Sequence, residues 1–157
     1  MKSEYIPDQT DMQILDSLQD SFPLTSHPYQ VLAERVTISE EEFISRLSRL
    51  HDMGIIRSIS PVLESKHLGM HAATLVAMHV SKEKIHAVAE IVNGFPEVTH
   101  NFIRDHYYSL WFTLIGKDHD RIDELISEIL KQTNIPECDI LNLISVKKYK
   151  ADVRFPL

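Results

Sequence analysis

The sequence predicts an α+β protein in two parts, a winged helix-turn-helix over residues 1–69 and a ferredoxin-like βαββαβ domain over residues 70–157. In the first part, apolar residues recur at helical spacing. In the second part, segments with strand alternation and segments with helical spacing follow one another in the order β-α-β-β-α-β. A chain of 157 residues, 43% of them hydrophobic, is long enough to build two small cores.

Three short helices and a strand are predicted in the first part. Asp11 is the predicted N-cap of the first helix, and apolar residues follow it at helical spacing. The second helix follows Pro28. The third begins at Ser39, where Ser-Glu-Glu-Glu forms a capping-box pattern, and ends at Gly54. The apolar run at 55–59 predicts a strand, which completes the outline of a winged helix-turn-helix.

The second part alternates between strands and helices. A tight hairpin is expected around Arg104-Asp105, because strand patterns flank it on both sides. The tail over 147–155 is a candidate for one more strand. The predicted elements are, in order, a strand at 74–80, a helix at 85–92, strands at 98–103 and 107–115, a helix at 122–130 and a strand at 140–146.

Negative charge is concentrated in the part that has the outline of a DNA reader. The formal net charge is -7, and residues 1–69 carry six basic and eleven acidic residues, a net of -5. The helix that would enter the major groove begins Glu40-Glu41-Glu42, and Arg46 and Arg49 only partly offset these charges. DNA affinity depends on cations that neutralise phosphates, so this charge distribution argues against DNA binding.

Several other classes of protein are excluded by composition. A single cysteine rules out a disulfide framework and any cysteine-based zinc or iron–sulfur centre. No apolar run approaches the length of a membrane span, about 18 residues. The start of the chain, residues 1–11, has no apolar core of signal-peptide length, so a cytoplasmic location is expected.

The densest polar and aromatic stretch is the predicted hairpin over residues 96–113. It contains two histidines, one arginine, two tyrosines and the only tryptophan. Strand alternation predicts one shared face for its first strand and another for its return strand, while the register stays open. Imidazole, guanidinium and flat rings on one surface suit a large planar anion. The predicted shared faces are Val98, His100, Phe102 and Arg104 on the first strand, and His106, Tyr108, Leu110 and Phe112 on the second.

The two-part architecture is similar to the Lrp/AsnC family of transcription regulators, and the hairpin resembles that of the siroheme decarboxylases, which are Lrp/AsnC-like proteins of haem and haem d1 biosynthesis. The stretch that carries this resemblance runs Pro-Glu-Val-Thr-His-Asn from Pro96 and continues to Leu-Trp-Phe-Thr, which ends at Thr113. Shorter segments elsewhere resemble the same family pattern, so the resemblance extends over nearly the whole chain. Departures from the family pattern are Ser58, Ser60, Phe102 and Ser109. They are compatible with the less catalytic subunit of a pair.

This resemblance implies a carbon–carbon lyase that removes CO2 from two acetate side chains of siroheme and gives 12,18-didecarboxysiroheme. It implies a heterodimer with a related subunit, with a homodimer as the alternative. It also implies no dissociable cofactor, since the iron belongs to the siroheme substrate. His100 and His106 become the catalytic candidates, as proton donor or as axial ligand of the tetrapyrrole iron. The residues implied to bind the substrate are Arg57, Arg104, Tyr108, Trp111, Lys150 and Arg154.

An Lrp/AsnC-type regulator that binds DNA and a small ligand is the alternative function. The architecture alone favours it, and the charge distribution and the hairpin favour the decarboxylase.

Overall fold

The computed structural model describes residues 5–150 and 154–157, and it divides them into two compact units. The first unit contains the described residues up to Val62 together with the tail 154–157, and the second contains Leu63–Lys150. The predicted division lay after Gly69 and kept the whole tail in the second part. The described end of the tail instead belongs to the first unit. There the Phe155 amide donates to Gln19 Oε1 at 2.6 Å, and Gln19 Nε2 donates to the Phe155 carbonyl at 3.0 Å.

Three helices form the first unit: α1 (Gln9–Gln19), α2 (Pro28–Arg35) and α3 (Glu40–Asp52). Ser39 caps α3 as predicted, because its hydroxyl accepts a hydrogen bond from the Glu42 amide at 3.2 Å. The predicted N-cap of α1 is wrong, since Asp8 caps that helix and Asp11 lies one turn inside it. One apolar core holds the three helices together, and its fully or almost fully buried members are Ile14, Leu32, Ala33, Phe43 and Leu50.

The predicted strand at 55–59 does not form, because the first two backbone amides of this segment donate hydrogen bonds to the end of α3. Gly54 has a left-handed φ of 76°, which turns the chain back on the helix. The amides of Ile55 and Ile56 then both donate to the Leu50 carbonyl, at 3.0 and 3.2 Å. Residues 55–64 contain neither helix nor paired strand. The helix-turn-helix prediction is therefore confirmed, whereas the wing is an irregular segment.

A cluster of charged and polar side chains in the first unit is centred on Asp11. Its carboxylate is fully buried, closes a capping box with the Asp8 amide and accepts a hydrogen bond from the Tyr5 hydroxyl. Two arginines of α3 converge on it, Arg46 at 3.0 Å and Arg49 at 3.3 Å. Burial opposes ionisation of Asp11, but these hydrogen bonds outweigh it and lower its pKa to about 2.

The second unit is a four-stranded antiparallel sheet with two helices. Its elements are β1 (Ala72–Met78), α4 (Ile85–Asn93), β2 (Val98–Ile103), β3 (Leu110–Gly116), α5 (His119–Thr133) and β4 (Ile140–Ile144). The strand order β2-β3-β1-β4 confirms the predicted ferredoxin-like arrangement. The predicted return strand from residue 107 is shorter, since β3 begins at Leu110 and residues 104–109 form a loop. The described residues of the tail form no further strand, and residues 151–153 lie outside the described part of the chain.

The two helices cover one face of this sheet. Alternate residues of the two central strands are fully buried there against α4 and α5, for example Val76, Phe112 and Leu114. The opposite face, which we call the open face, carries mostly apolar side chains that stay partly exposed. Its members, placed by strand register, include Leu75, Phe102, Trp111, Thr113, Leu141 and Leu143. No helix among the described residues is long and apolar enough to span a membrane.

Asp11→Asn should destabilise the first unit. The pKa of Asp11 lies below its ordinary value in the folded state, so the stabilisation is present above about pH 4 and is lost as the pH falls towards 2. We expect a loss of about 2 kcal/mol at pH 7 and almost none near pH 2. Hydrogen exchange measured by mass spectrometry on peptides of α1–α3 reports the free energy of opening.

The control for this experiment is Asp52→Asn, which changes an exposed carboxylate on α3. It should alter the free energy of opening by less than about 0.5 kcal/mol. Peptides of α4 and α5 serve as an internal reference. Equal exchange of α1–α3 in wild type and Asp11→Asn at pH 7 would contradict the assigned role of Asp11.

Candidate functional site

A β-bulge in β2 decides which side chains of the hairpin face outward. Val98 pairs with Leu114 on the helix-covered face, but the register shifts at Thr99, so that His100 pairs with Thr113. The prediction that Val98 shares a face with His100 and Phe102 is therefore wrong. His100 and Phe102 lie on the open face, while Val98 packs against the core beneath α4 and α5.

Four aromatic side chains lie along the open face, and we call them the aromatic row: His100, Phe102, Trp111 and His106. The ring centroids of His100 and Phe102 lie 6.1 Å apart and nearly parallel, and Phe102 pairs with Trp111 across the strands. His106 approaches the Trp111 ring at 6.2 Å. The two predicted catalytic histidines thus stand at opposite ends of one aromatic surface.

His100 is exposed at the start of this row, and two threonine hydroxyls lie beside its Nδ1. Its Nδ1 lies 3.1 Å from Thr99 Oγ1 and 3.4 Å from Thr113 Oγ1. The next residue, Asn101, points the other way and donates to the Ala89 carbonyl and to Asn93 Oδ1 on α4. Nε2 of His100 is the ring nitrogen that faces away from the two threonines.

His106 lies in the loop 104–109 rather than on a strand, so its predicted shared face with Leu110 and Phe112 is wrong. Its Nδ1 accepts a hydrogen bond from the Tyr108 amide at 3.1 Å. A neutral ring whose Nδ1 accepts must carry its hydrogen on Nε2. In its neutral form, His106 therefore has its hydrogen-bond donor on Nε2.

Other residues of the loop 104–109 gather around Trp111. The Arg104 guanidinium lies 5.9 Å from the centre of the Trp111 ring, and the Trp111 indole donates to the Tyr108 carbonyl at 2.6 Å. The Arg104 amide donates to the Ser109 carbonyl at 2.8 Å and closes the loop. The structure thus brings together four predicted residues of the second unit: Arg104, His106, Tyr108 and Trp111.

Two residues that are not among the predicted site residues fix this loop. His79 stacks on the Tyr107 ring at 4.1 Å and donates from Nδ1 to the Tyr107 carbonyl at 2.6 Å. Ser109 bonds to both the amide and the carbonyl of Val80. Neither role is visible in the sequence, because both contacts join the loop to the end of β1, about 30 residues away.

The other three predicted cations are exposed side chains. Arg57 belongs to the first unit, where it lies beside an apolar cleft of about 870 Å³. Arg154, also in the first unit, binds the Asp16 carboxylate at 2.9 Å and forms a second ion pair with Asp20. Lys150 is the last residue of the second unit.

A metal centre built from several side chains is not found in the part of the chain that the structure describes, since no three His, Cys, Asp or Glu side chains are grouped to hold an ion.

Two family models match the chain, one in each unit. The model described as "Siroheme decarboxylase NirDL-like HTH domain" matches residues 11–57. The model described as "AsnC-like ligand binding domain" matches residues 67–150.

Curated relatives agree with the first of these models. The siroheme decarboxylase NirD subunit of Stutzerimonas stutzeri is 37% identical over 96% of this chain and 95% of its own length. The NirG subunit of the same organism is 33% identical over 96% of this chain and 99% of its own length. The solved structure of the siroheme decarboxylase NirDL in complex with an iron-uroporphyrin III analogue is 30% identical, with a TM-score of 0.70 over 94% of this chain but 48% of that one. The chain therefore belongs to the siroheme decarboxylase family, within the Lrp/AsnC-like proteins.

Proposed function

We propose that this chain is a subunit of a siroheme decarboxylase, a carbon–carbon lyase that removes CO2 from two acetate side chains of siroheme and yields 12,18-didecarboxysiroheme. The observation that carries this proposal is the aromatic row, a set of rings with an imidazole at each end and a guanidinium beside it. Relatives that are named siroheme decarboxylase subunits and match over nearly their full length support it. We also propose a cytoplasmic location, as the sequence predicted.

Two features of this surface suit a tetrapyrrole, namely its aromatic rings and the nearby guanidinium. Phe102 and Trp111 offer ring faces to a flat macrocycle, and both are partly exposed on the open face. Arg104 beside Trp111 is placed to bind a peripheral carboxylate, and a charge-assisted hydrogen bond of this kind is worth about 1.5–3 kcal/mol. Arg57 and Lys150 remain further candidates for carboxylate binding, as the resemblance implied.

Arg154 is a weaker candidate for substrate binding than the resemblance implied. Its guanidinium is already bound to the carboxylates of Asp16 and Asp20. Binding a substrate carboxylate would require at least one of these ion pairs to be given up.

Each decarboxylation breaks one carbon–carbon bond and forms one carbon–hydrogen bond. The electron pair left by departing CO2 stays on the methylene carbon and is delocalised into the macrocycle, and one proton then converts the carbon to a methyl group. No electron acceptor or donor is consumed, so we propose that no dissociable cofactor takes part. The substrate brings its own iron and its own electron sink.

The two histidines are proposed to have different roles, because their surroundings differ. Neutral His106 carries hydrogen on Nε2, which suits a hydrogen bond to a substrate carboxylate. Nε2 of His100 faces away from the two threonines, and we assign to it either delivery of the proton or ligation of the iron. If His100 ligates the iron, His100→Ala should change the absorption spectrum of bound siroheme. If His100 donates the proton, the same variant should leave that spectrum unchanged.

The part of the open face on β1 and β4, beside the aromatic row, is proposed to pair with the corresponding part of a related subunit. Leu75, Leu141 and Leu143 are each more than one-third exposed there, a large apolar surface to leave in water. NirD and NirG of one organism both match this chain over nearly its whole length, and the NirDL chain is about twice as long. A double-length chain that carries the activity supports two such units working side by side. A pair of identical chains is the alternative outcome.

The regulator alternative is not favoured by the first unit. Both arginines on the helix that would read DNA are bound to carboxylates, Arg46 to Asp8, Asp11 and Glu42, and Arg49 to Asp11. Binding phosphate would require breaking these contacts, and a net charge of -5 on residues 1–69 would oppose the approach.

Turnover tests the proposed function. The purified chain, alone and with its related subunit, is mixed with siroheme without oxygen, and the product is analysed by mass spectrometry. We expect loss of two CO2, with His100→Ala at least about a hundredfold slower because the proton donor or iron ligand is gone. His86→Ala, which changes an exposed histidine on α4, is the matched control and should turn over like wild type. Siroheme recovered unchanged from every wild-type combination would refute the proposal.

Leu143→Lys tests the pairing of open faces. Placing an ammonium group in an apolar interface should weaken association at least about tenfold, because the charge loses its hydration. Light scattering after size-exclusion chromatography measures the mass of the complex. Leu68→Lys changes an exposed apolar residue outside the sheet and should associate normally. Wild-type association by Leu143→Lys would show that the subunits meet elsewhere.

A further inference from the structure

Two threonine hydroxyls stand behind His100, and the β-bulge is what brings them there. Thr99 occupies the bulge, next to His100 in sequence, and Thr113 is the residue opposite His100 on β3. Their Oγ1 atoms lie 2.6 Å apart, within hydrogen-bond distance. Nδ1 of His100 is 3.1 Å from the first and 3.4 Å from the second. These three atoms form a closed group on one side of the imidazole.

We infer that Thr99 and Thr113 are positioning residues that keep the hydrogen of His100 on Nδ1 and leave Nε2 as the nitrogen that meets the substrate. The role in turnover rests on the proposed function. The position of the hydrogen is a property of the chain alone.

The hydrogen count of the group fits this arrangement. In the inferred arrangement, Nδ1–H donates to the Thr99 hydroxyl, which is the nearer of the two, and the Thr99 hydroxyl donates in turn to Thr113, since either threonine oxygen can accept in that bond. A histidine that gives up a proton must first carry hydrogen on both nitrogens, and in that form Nδ1 can only donate. The same hydroxyl arrangement therefore serves the ring before and after Nε2 loses its proton, and no group has to reorient during the step.

The opposite side of the strand is fixed independently. Asn101 donates to the Ala89 carbonyl at 3.3 Å and to Asn93 Oδ1 at 2.9 Å, which ties this part of β2 to α4. Three consecutive residues thus have three tasks: Thr99 orients the ring, His100 presents Nε2, and Asn101 anchors the strand. The arrangement also assigns a function to Thr113, the last residue of the hairpin motif.

Nitrogen-15 NMR of the histidine ring in the purified full-length chain tests the inference directly. In wild type, the His100 shifts should show hydrogen on Nδ1. Thr99→Val keeps the shape and strand preference of the residue but removes the hydroxyl, so His100 should move to the Nε2–H form that free imidazole side chains favour in water. Thr99→Ser restores the hydroxyl and should restore the wild-type shifts. Wild-type hydrogen on Nε2, or unchanged shifts in Thr99→Val, would overturn the inference.

Kinetics tests the part that concerns turnover. Thr99→Val and Thr113→Val should each lower kcat about tenfold with little change in KM, since they affect orientation rather than binding. The corresponding serine variants should recover most of the rate. The expected NMR shift together with an unchanged kcat would overturn the positioning role. Inactive wild type would instead refute the proposed function, and the NMR result would still decide where the hydrogen lies.

Discussion

The β-bulge at Thr99 is the constraint on which the site depends. Without it, strand alternation would pair His100 with Phe112 and turn the imidazole into the core beneath α4 and α5. The extra residue moves His100 and Phe102 to the open face, opposite Thr113 and Trp111. One irregular residue therefore assembles both the aromatic row and the hydroxyl pair behind its histidine.

The two units use charge in contrasting ways. In the first unit, buried Asp11 binds Arg46 and Arg49, so the cations of α3 stabilise the fold instead of facing a polyanion. The low pKa of Asp11 corresponds to about 2 kcal/mol of stabilisation at pH 7, whereas exposed ion pairs contribute at most about 1 kcal/mol. In the second unit, Arg104 lies over an aromatic ring on the surface, where an anionic ligand can reach it.

Sequence periodicity predicted the helices, the strands and their order, because each of these depends on many similar contacts. The apolar stripes that bury Ile14 and Phe43, and the order of strands and helices in the second unit, follow from many residues that agree with one another. Single-residue geometry was not predictable in this way. The bulge at Thr99 breaks an alternation that the hairpin otherwise obeys, and Gly54 in a left-handed turn sends the next two amides back to α3, where a strand was expected. The site residues His79 and Thr113 were missed because their roles come from contacts across the sheet.

We propose that a histidine of the open face delivers a solvent-derived proton to the carbon that loses CO2. Turnover of siroheme in deuterium oxide, followed by mass spectrometry of the product, measures where this hydrogen comes from. We expect one deuterium in each new methyl group, because the proton on a histidine nitrogen exchanges with solvent. Methyl groups formed without deuterium would mean that the hydrogen comes from a non-exchanging position and would rule out a histidine as the donor.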